Sequence, residues 1–202
     1  MGAIEQRAAA RASQSSQTIT LSDRVRARAL AGVREATREL HGAAAVDHVL
    51  SQLSDEQRAS IAFEREWVPV ELLEAWVAAL WDGPLGQDPV AFRRCVDRGL
   101  DHGFGRVKKT LLAIATPHGI VRRASELWRG DFTDGRLVAF STSPTSATLT
   151  LHEHCSLSSP LMRELTAESF RYVVQLAGAR NAVERHEGAI GAPLVVHVSW
   201  SG

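Results

Sequence analysis

The sequence predicts an α+β fold in which helices pack on a four-stranded antiparallel sheet built as hairpin, helix, hairpin. Three observations carry that expectation. Up to residue 130 the apolar residues recur at helical spacing. From Asp131 to His154 the pattern changes to two alternating runs, joined by Thr142-Ser143-Pro144-Thr145-Ser146, a stretch with turn chemistry. A second pair of strand candidates, Ala182–His186 and Leu194–Trp200, follows one more helical stretch.

Residues 1–17 are Ala, Arg, Ser and Gln around a single large apolar residue, Ile4, and read as a flexible tail ahead of one domain over 18–202. Leu21, Val25, Ala29, Val33, Ala36 and Leu40 mark an amphipathic helix that ends near Gly42, with Arg and Glu on its other face. Val46, Val49, Leu50 and Leu53 give a second helix. Ser54 with Gln57 three residues on is a capping box that starts a brief third. Pro69 reads as a first helical position, after which Leu72, Leu73, Trp76, Val77 and Leu80 form a core-facing stripe.

Asp88-Pro89 caps a long helix whose stripe runs Phe92, Val96, Gly99, Gly103, Val107, Leu111 and Ile114, with Gly105 as an alternative breaking point. A helical glycine costs about 1 kcal/mol relative to alanine. Gly99 and Gly103 therefore mark the close approach of another backbone or of a ligand. Thr116-Pro117 opens a short helix carrying Ile120, Ala124, Leu127 and Trp128 as far as Gly130. After the first hairpin, Ser158-Ser159-Pro160 caps a helix that Gly178 ends, and the closing hairpin turns through residues 187–191. Leu194, Val196, Val198 and Trp200 then share one strand face, with His197 on the other.

Lys plus Arg equals Asp plus Glu at 23 each, so no overall field favours nucleic acid or an anionic membrane. Cys95 and Cys155 form neither a disulfide framework nor a C-x-x-C pair. No apolar run approaches the roughly 20 residues of a membrane span, and the start lacks the apolar core of a secretory signal. Ala/Arg richness throughout resembles the coding bias of a GC-rich bacterium. A cytoplasmic bacterial protein is the expectation.

Several helices, a glycine-bearing long helix, Thr116-Pro117, Leu127-Trp128 before Asp131-Phe132-x-x-Gly135, a hairpin, a helix and a closing Val196-x-Val198-x-Trp200 follow one another over roughly residues 40 to 200. This order resembles a large paralogous family of myxobacterial proteins. That family in turn is similar to the superfamily of haem-nitric-oxide-binding domains, 4-vinyl-reductase-type sensor domains and TRAPP transport-complex subunits. The resemblance implies a non-enzymatic sensor or adaptor that holds a small apolar molecule, a haem or an acyl chain between helices and sheet. It also implies a regulatory protein partner or a homodimer. Two departures stand out. The haem-binding branch carries a proximal histidine followed by Tyr-x-Ser-x-Arg, whereas the only tyrosine here, Tyr172, precedes Val173, Val174 and Gln175. The zinc-binding cysteine cluster of some vinyl-reductase-type domains is absent too. The expectation is therefore a domain without a cofactor, with an apolar ligand held near Trp76, Gly99, Gly103 and Trp128.

No Gly-x-Ser-x-Gly elbow, phosphate loop or paired acid spacing points to catalysis. The densest group of metal-ligand types is His152-Glu153-His154-Cys155. On a regular strand His152 and His154 share a face roughly 7 Å apart. With His197 from a neighbouring strand they form an alternative zinc-type site, set against the simpler reading of a solvated strand face. Asp101, His102 and Lys108-Lys109 either line a pocket or form a solvated helix face.

Overall fold

The computed structural model describes residues 23–62 and 66–201. The expected tail, and Leu21 of the first stripe, lie outside those residues. The chain begins with β1 (Arg24–Arg26), α1 (Ala27–His41), α2 (Ala43–Gln52), α3 (Asp55–Ala62) and β2 (Trp67–Pro69). The helices α4 (Val70–Asp82), α5 (Pro89–Gly103), α6 (Arg106–Ile114), α7 (Pro117–Arg122) and α8 (Ala124–Asp131) follow. Then come β3 (Arg136–Ser143), β4 (Ser146–His152), a 3-10 turn (Cys155–Ser158), α9 (Pro160–Leu176), β5 (Arg180–Glu187) and β6 (Leu194–Ser201). The class is α+β, as the periodicities predict.

The main sheet has the order β3-β4-β6-β5, every pair antiparallel. Its register aligns Leu137 with Leu151, Leu149 with Val196 and Ala147 with Val198. The period of two then brings Leu137, Leu149, Leu151, Leu194, Val196 and Val198 into one buried core. Ala167, Phe170 and Val174 of α9 pack into the same core. A second core, around Val25, Leu73, Trp76, Leu80, Phe92 and Val96, joins the N-terminal helices, and half-buried Phe132 touches both.

Helix starts follow the capping signals. Ser54 and Gln57 bond reciprocally, at 2.9 and 3.2 Å. The side chains of Asp88, Thr116 and Ser159 accept from Val90, Gly119 and Met162 N–H groups. Pro69 differs from its expected place, for it ends β2 and α4 begins at Val70. The β1–β2 ladder holds the entry to α1 beside that of α4, and Val70 N–H donates to the Asp23 carbonyl at 2.9 Å. Three-residue strands are too short to show alternation, so this ladder left no pattern in the sequence. The long helix divides at Gly105, which caps α6, and Arg123 separates α7 from α8.

Helices α1 and α5 meet along glycines. A Cβ added at Gly32 would lie 2.2 Å from the Gly99 carbonyl oxygen and 2.7 Å from Gly103 N. The close approach expected at Gly99 and Gly103 is thus to the α1 backbone, through a third glycine absent from the stripe. On another side of α5 the buried Arg171 guanidinium donates to Glu168 Oε2 at 2.7 Å and pairs with Asp97 and Glu184, tying α9 to α5 and β5. No helix among the described residues is long and apolar enough to cross a membrane.

Candidate functional site

Between α5, α8, α9 and the inner face of the sheet lies a cavity of about 150 Å³. Gly99, Leu100, Gly103 and Phe104 form one wall, Val121, Ala124, Trp128 and Phe132 a second, Leu137 and Leu149 the floor, and Met162, Phe170 and Val174 of α9 a further side. Trp128 stacks on Phe132 at 4.0 Å between centroids and meets Phe170 edge-on at 6.1 Å. The walls follow from the stripes of α5, α8 and α9 converging on the apolar sheet face.

One buried polar ring enters this lining. Strand β4 ends at His152 because Glu153 adopts the left-handed conformation (φ 54°). His154 is then only 6% exposed and lies edge-on to Trp128 and Phe132, at 5.1 and 5.2 Å. Its Nδ1 accepts the Ser156 N–H at 3.3 Å and lies 2.6 Å from the Ser156 hydroxyl, capping the 3-10 turn. Its Nε2 is buried with no hydrogen-bond partner. Burial pushes this imidazole below the usual histidine range, against the opposing pull of Asp23 and Asp134, so the ring is neutral.

The other polar lining groups are occupied. Trp128 Nε1 donates to the Asp134 carbonyl at 2.9 Å, Thr166 Oγ1 to the Met162 carbonyl at 2.8 Å, and Ser169 Oγ to the Leu165 carbonyl at 2.7 Å. The charged lining residues are Arg28, Lys108 and Asp131, with both cations paired to the one carboxylate. Burial pushes the Lys108 ammonium down; Asp131 opposes that shift and Arg28 adds to it.

Of the residues singled out from sequence, Gly99, Gly103 and Trp128 line the cavity. Trp76 does not. It is fully buried in the helical core, with Nε1 3.5 Å from Thr37 Oγ1. The three-histidine site is not assembled. His154 has left the strand, His152 pairs with Arg136 across the sheet, and His197 lies opposite Thr148, four residues along β4 from His152. His197 Nδ1 is instead 3.0 Å from Thr148 Oγ1.

The His154 neighbourhood does hold a different trio. Ligand atoms of Asp23, His154 and Cys155 lie within 4.8 Å of one another. The Asp23 carboxylate already accepts Cys155 N–H at 2.8 Å. Burial first, then Asp23, pushes the Cys155 thiol up, leaving it protonated and a poor nucleophile. Asp101 accepts the Tyr172 hydroxyl at 2.6 Å and pairs with Arg98 and Lys109, while His102 meets Glu39 at 2.8 Å. Neither reaches the cavity lining, whereas Lys108 does. His154 as a lone buried lining residue, and Phe132, went unrecognised in the sequence.

No protein-family model and no curated sequence matches the chain. Solved structures do. The Fe(II) unliganded H-NOX protein from K. algicida superposes with a TM-score of 0.61 at 12% identity, covering 88% of this chain and 97% of that one. A structure described as "Probing the function of heme distortion in the H-NOX family" gives 0.57 at 12%, covering 88% and 95%. An oxygen-binding H-NOX domain related to soluble guanylate cyclases gives 0.54 at 12%, covering 86% and 93%. The chain therefore has the fold of H-NOX domains.

These neighbours correct the expectation of a domain without a cofactor, since descriptions among them name haem and its distortion and so point to haem as the group for this fold. The cavity residues suit a porphyrin in kind. An apolar, aromatic-walled space holds one buried imidazole with an unpaired nitrogen, and two cations stand in the lining. As it stands the space is smaller than the roughly 300–1,000 Å³ of ordinary ligand pockets. It suits a single-ring molecule unchanged, and a porphyrin only with outward movement of side chains.

Proposed function

We propose that this chain is a ligand-sensing regulatory domain that takes a small, largely apolar molecule or a haem into the cavity between α5, α8, α9 and the sheet. The carrying observation is the buried His154 in that lining, whose Nε2 has no hydrogen-bond partner while the other polar lining side chains are occupied. An unpaired buried donor of this kind costs about 1–3 kcal/mol. Such a group in a native fold calls for a partner that the protein itself does not supply, and a ligand is one. With haem, His154 would hold the iron and Arg28 and Lys108 would face its acid groups. The bound iron would supply the coordination position at which a diatomic gas is read. Ligation by Nε2 requires the imidazole proton on Nδ1, where the Ser156 hydroxyl can accept it.

On this reading residues 18–202 act as one domain of a cytoplasmic regulator that passes its state to a protein partner or a second copy. The order of elements favours placing it beside the myxobacterial paralogues it resembles. The test is titration of haem into haem-free protein, followed by Soret absorbance in wild type and His154→Ala, with uptake of a small aromatic measured in parallel. A histidine-type haem spectrum lost in His154→Ala supports the haem form, and uptake of the aromatic alone supports the small-ligand form. Uptake of neither removes the proposal.

A further inference from the structure

We propose that, in the chain without haem, the cavity takes a single-ring aromatic acid, with its ring between the apolar walls and its carboxylate on Arg28 and Lys108. The inference rests on the cavity reading above and adds the chemical class of the ligand. The charged lining groups come from three helices: Arg28 from α1, Lys108 from α6 and Asp131 from the end of α8. Their side chains are 45%, 19% and 20% exposed, whereas Trp128, Leu137, Leu149 and Met162 of the same lining are buried. The cations are thus within reach of a ligand arriving from solvent. The Lys108 ammonium stands 4.3 Å from the centroid of the Phe104 ring, itself part of a cavity wall. Charge and apolar space are adjacent there.

Both cations are occupied, but they are not neutralised. Each bonds to Asp131, and no other carboxylate among the described residues pairs with either. Two positive charges facing one negative leave one unbalanced, at a partly buried place where water screens it less than on an open surface. Donors remain for a second anion, since an ammonium offers three N–H groups and a guanidinium five, and Asp131 takes one of each. Helix α6 starts at Gly105 without a side-chain cap and without an acid in its first turn, so its dipole adds to the positive charge beside Lys108. A second anion would also oppose the burial that pushes the Lys108 ammonium down. The size of the ligand follows from the space. About 150 Å³ of apolar cavity accommodates one benzene-sized ring, and Trp128, Phe132 and Phe170 give that ring aromatic neighbours. A neutral ring fills the space and leaves the charge unmet, whereas an acid meets both.

The probes are phenylacetate and phenylacetamide, which share a shape and differ in charge. Dissociation constants for both are measured by calorimetry on haem-free wild type, Lys108→Met and Asp131→Asn. Wild type has one unbalanced positive charge at the site, Lys108→Met has none, and Asp131→Asn has two. Because the acid and the amide differ in hydration, the ratio of the two constants is compared between proteins. Expected is a preference for the acid about tenfold greater in wild type than in Lys108→Met, the equivalent of roughly 1.4 kcal/mol, and greater again in Asp131→Asn. A merely structural role for these residues would not make the preference follow the charge count. Should Lys108→Met not fold, Arg28→Met, on the more exposed cation, leaves the same count and takes its place. A ratio that is the same in wild type and in the variant lacking one cation overturns the inference and leaves the cavity reading intact. Binding of neither probe to wild type overturns the inference and the small-ligand form of that reading with it.

Discussion

Replacing Gly32 by alanine tests the helix seam that forms one wall of the site. The new Cβ would stand 2.2 Å from the Gly99 carbonyl oxygen and 2.7 Å from Gly103 N, both backbone atoms that no rotamer change can move aside. The helices must separate, and overpacking of this kind costs about 1–3 kcal/mol. Against it stands the gain of alanine over glycine in a helix, about 1 kcal/mol. With contacts this short the upper end of the cost applies, leaving a net loss of about 2 kcal/mol. In a domain of this size that lowers Tm by roughly 4–8 °C. Two comparisons fix the interpretation. Gly99→Ala brings its Cβ to 3.2 Å from Val33 Cγ2 and 3.3 Å from Val33 Cα, contacts that a small shift between the helices relieves, so propensity and strain nearly cancel. Gly130→Ala in α8 meets nothing within 4 Å and should raise Tm by a few degrees. Thermal unfolding of the three variants should rank Gly130→Ala above Gly99→Ala above Gly32→Ala. A Gly32→Ala protein as stable as wild type would refute the seam.

Arg171→Met leaves the buried carboxylates of Glu168 and Glu184 with Arg93 as their remaining cation, so the loss should fall below the roughly 3–5 kcal/mol of a buried pair broken outright; denaturant titration should show it, and an unchanged midpoint would mean the network is hydrated. Stability should also fall on mild acidification through His154. Its folded pKa lies below the ordinary value of about 6.5, so this contribution is complete above that pH. As pH drops below it, the unfolded chain takes a proton that the buried ring refuses, and stability is lost toward the folded pKa. Between about pH 7.5 and 5.5, wild type should therefore lose more Tm than His154→Gln; parallel slopes would argue against a buried neutral imidazole. Glu153→Gly relieves a left-handed residue, worth roughly 1–2 kcal/mol, against a glycine entropy cost of about 0.5–1 kcal/mol. Tm should hold or rise slightly, and a marked fall would contradict the turn at that residue.

Much of the fold was legible because its elements are long enough to repeat. The stripe Leu72, Leu73, Trp76, Val77 and Leu80 is buried in α4, and the strand alternation of 137–151 and 194–200 matches the sheet's inner face. What stayed hidden depends on single residues meeting at a distance. Gly32 sits in a helix whose stripe reads perfectly well without it, and only its approach to Gly99 and Gly103 gives it meaning. Pro69 satisfies the rule for a first helical position, yet pairing of Trp67–Pro69 with Arg24–Arg26 draws it into a strand one residue earlier. The tertiary ladder overrode the local preference.

The site was half legible for a related reason. Gly99, Gly103 and Trp128 reach the cavity because they belong to regular stripes, and a stripe facing the core also faces whatever space the core leaves. His154 was placed on a strand face because alternation was extended across Glu153, a residue type in which a positive φ is uncommon. One left-handed residue ended the strand. The histidine that alternation sent to a solvated metal face went instead to the apolar wall, where its Nδ1 is held by Ser156 and its Nε2 is free. The same turn that dissolved the three-histidine site thus left a buried imidazole of the cavity lining with one unpartnered nitrogen. Ligation of a metal through that nitrogen would need the ring's proton on Nδ1, where the Ser156 hydroxyl stands 2.6 Å away.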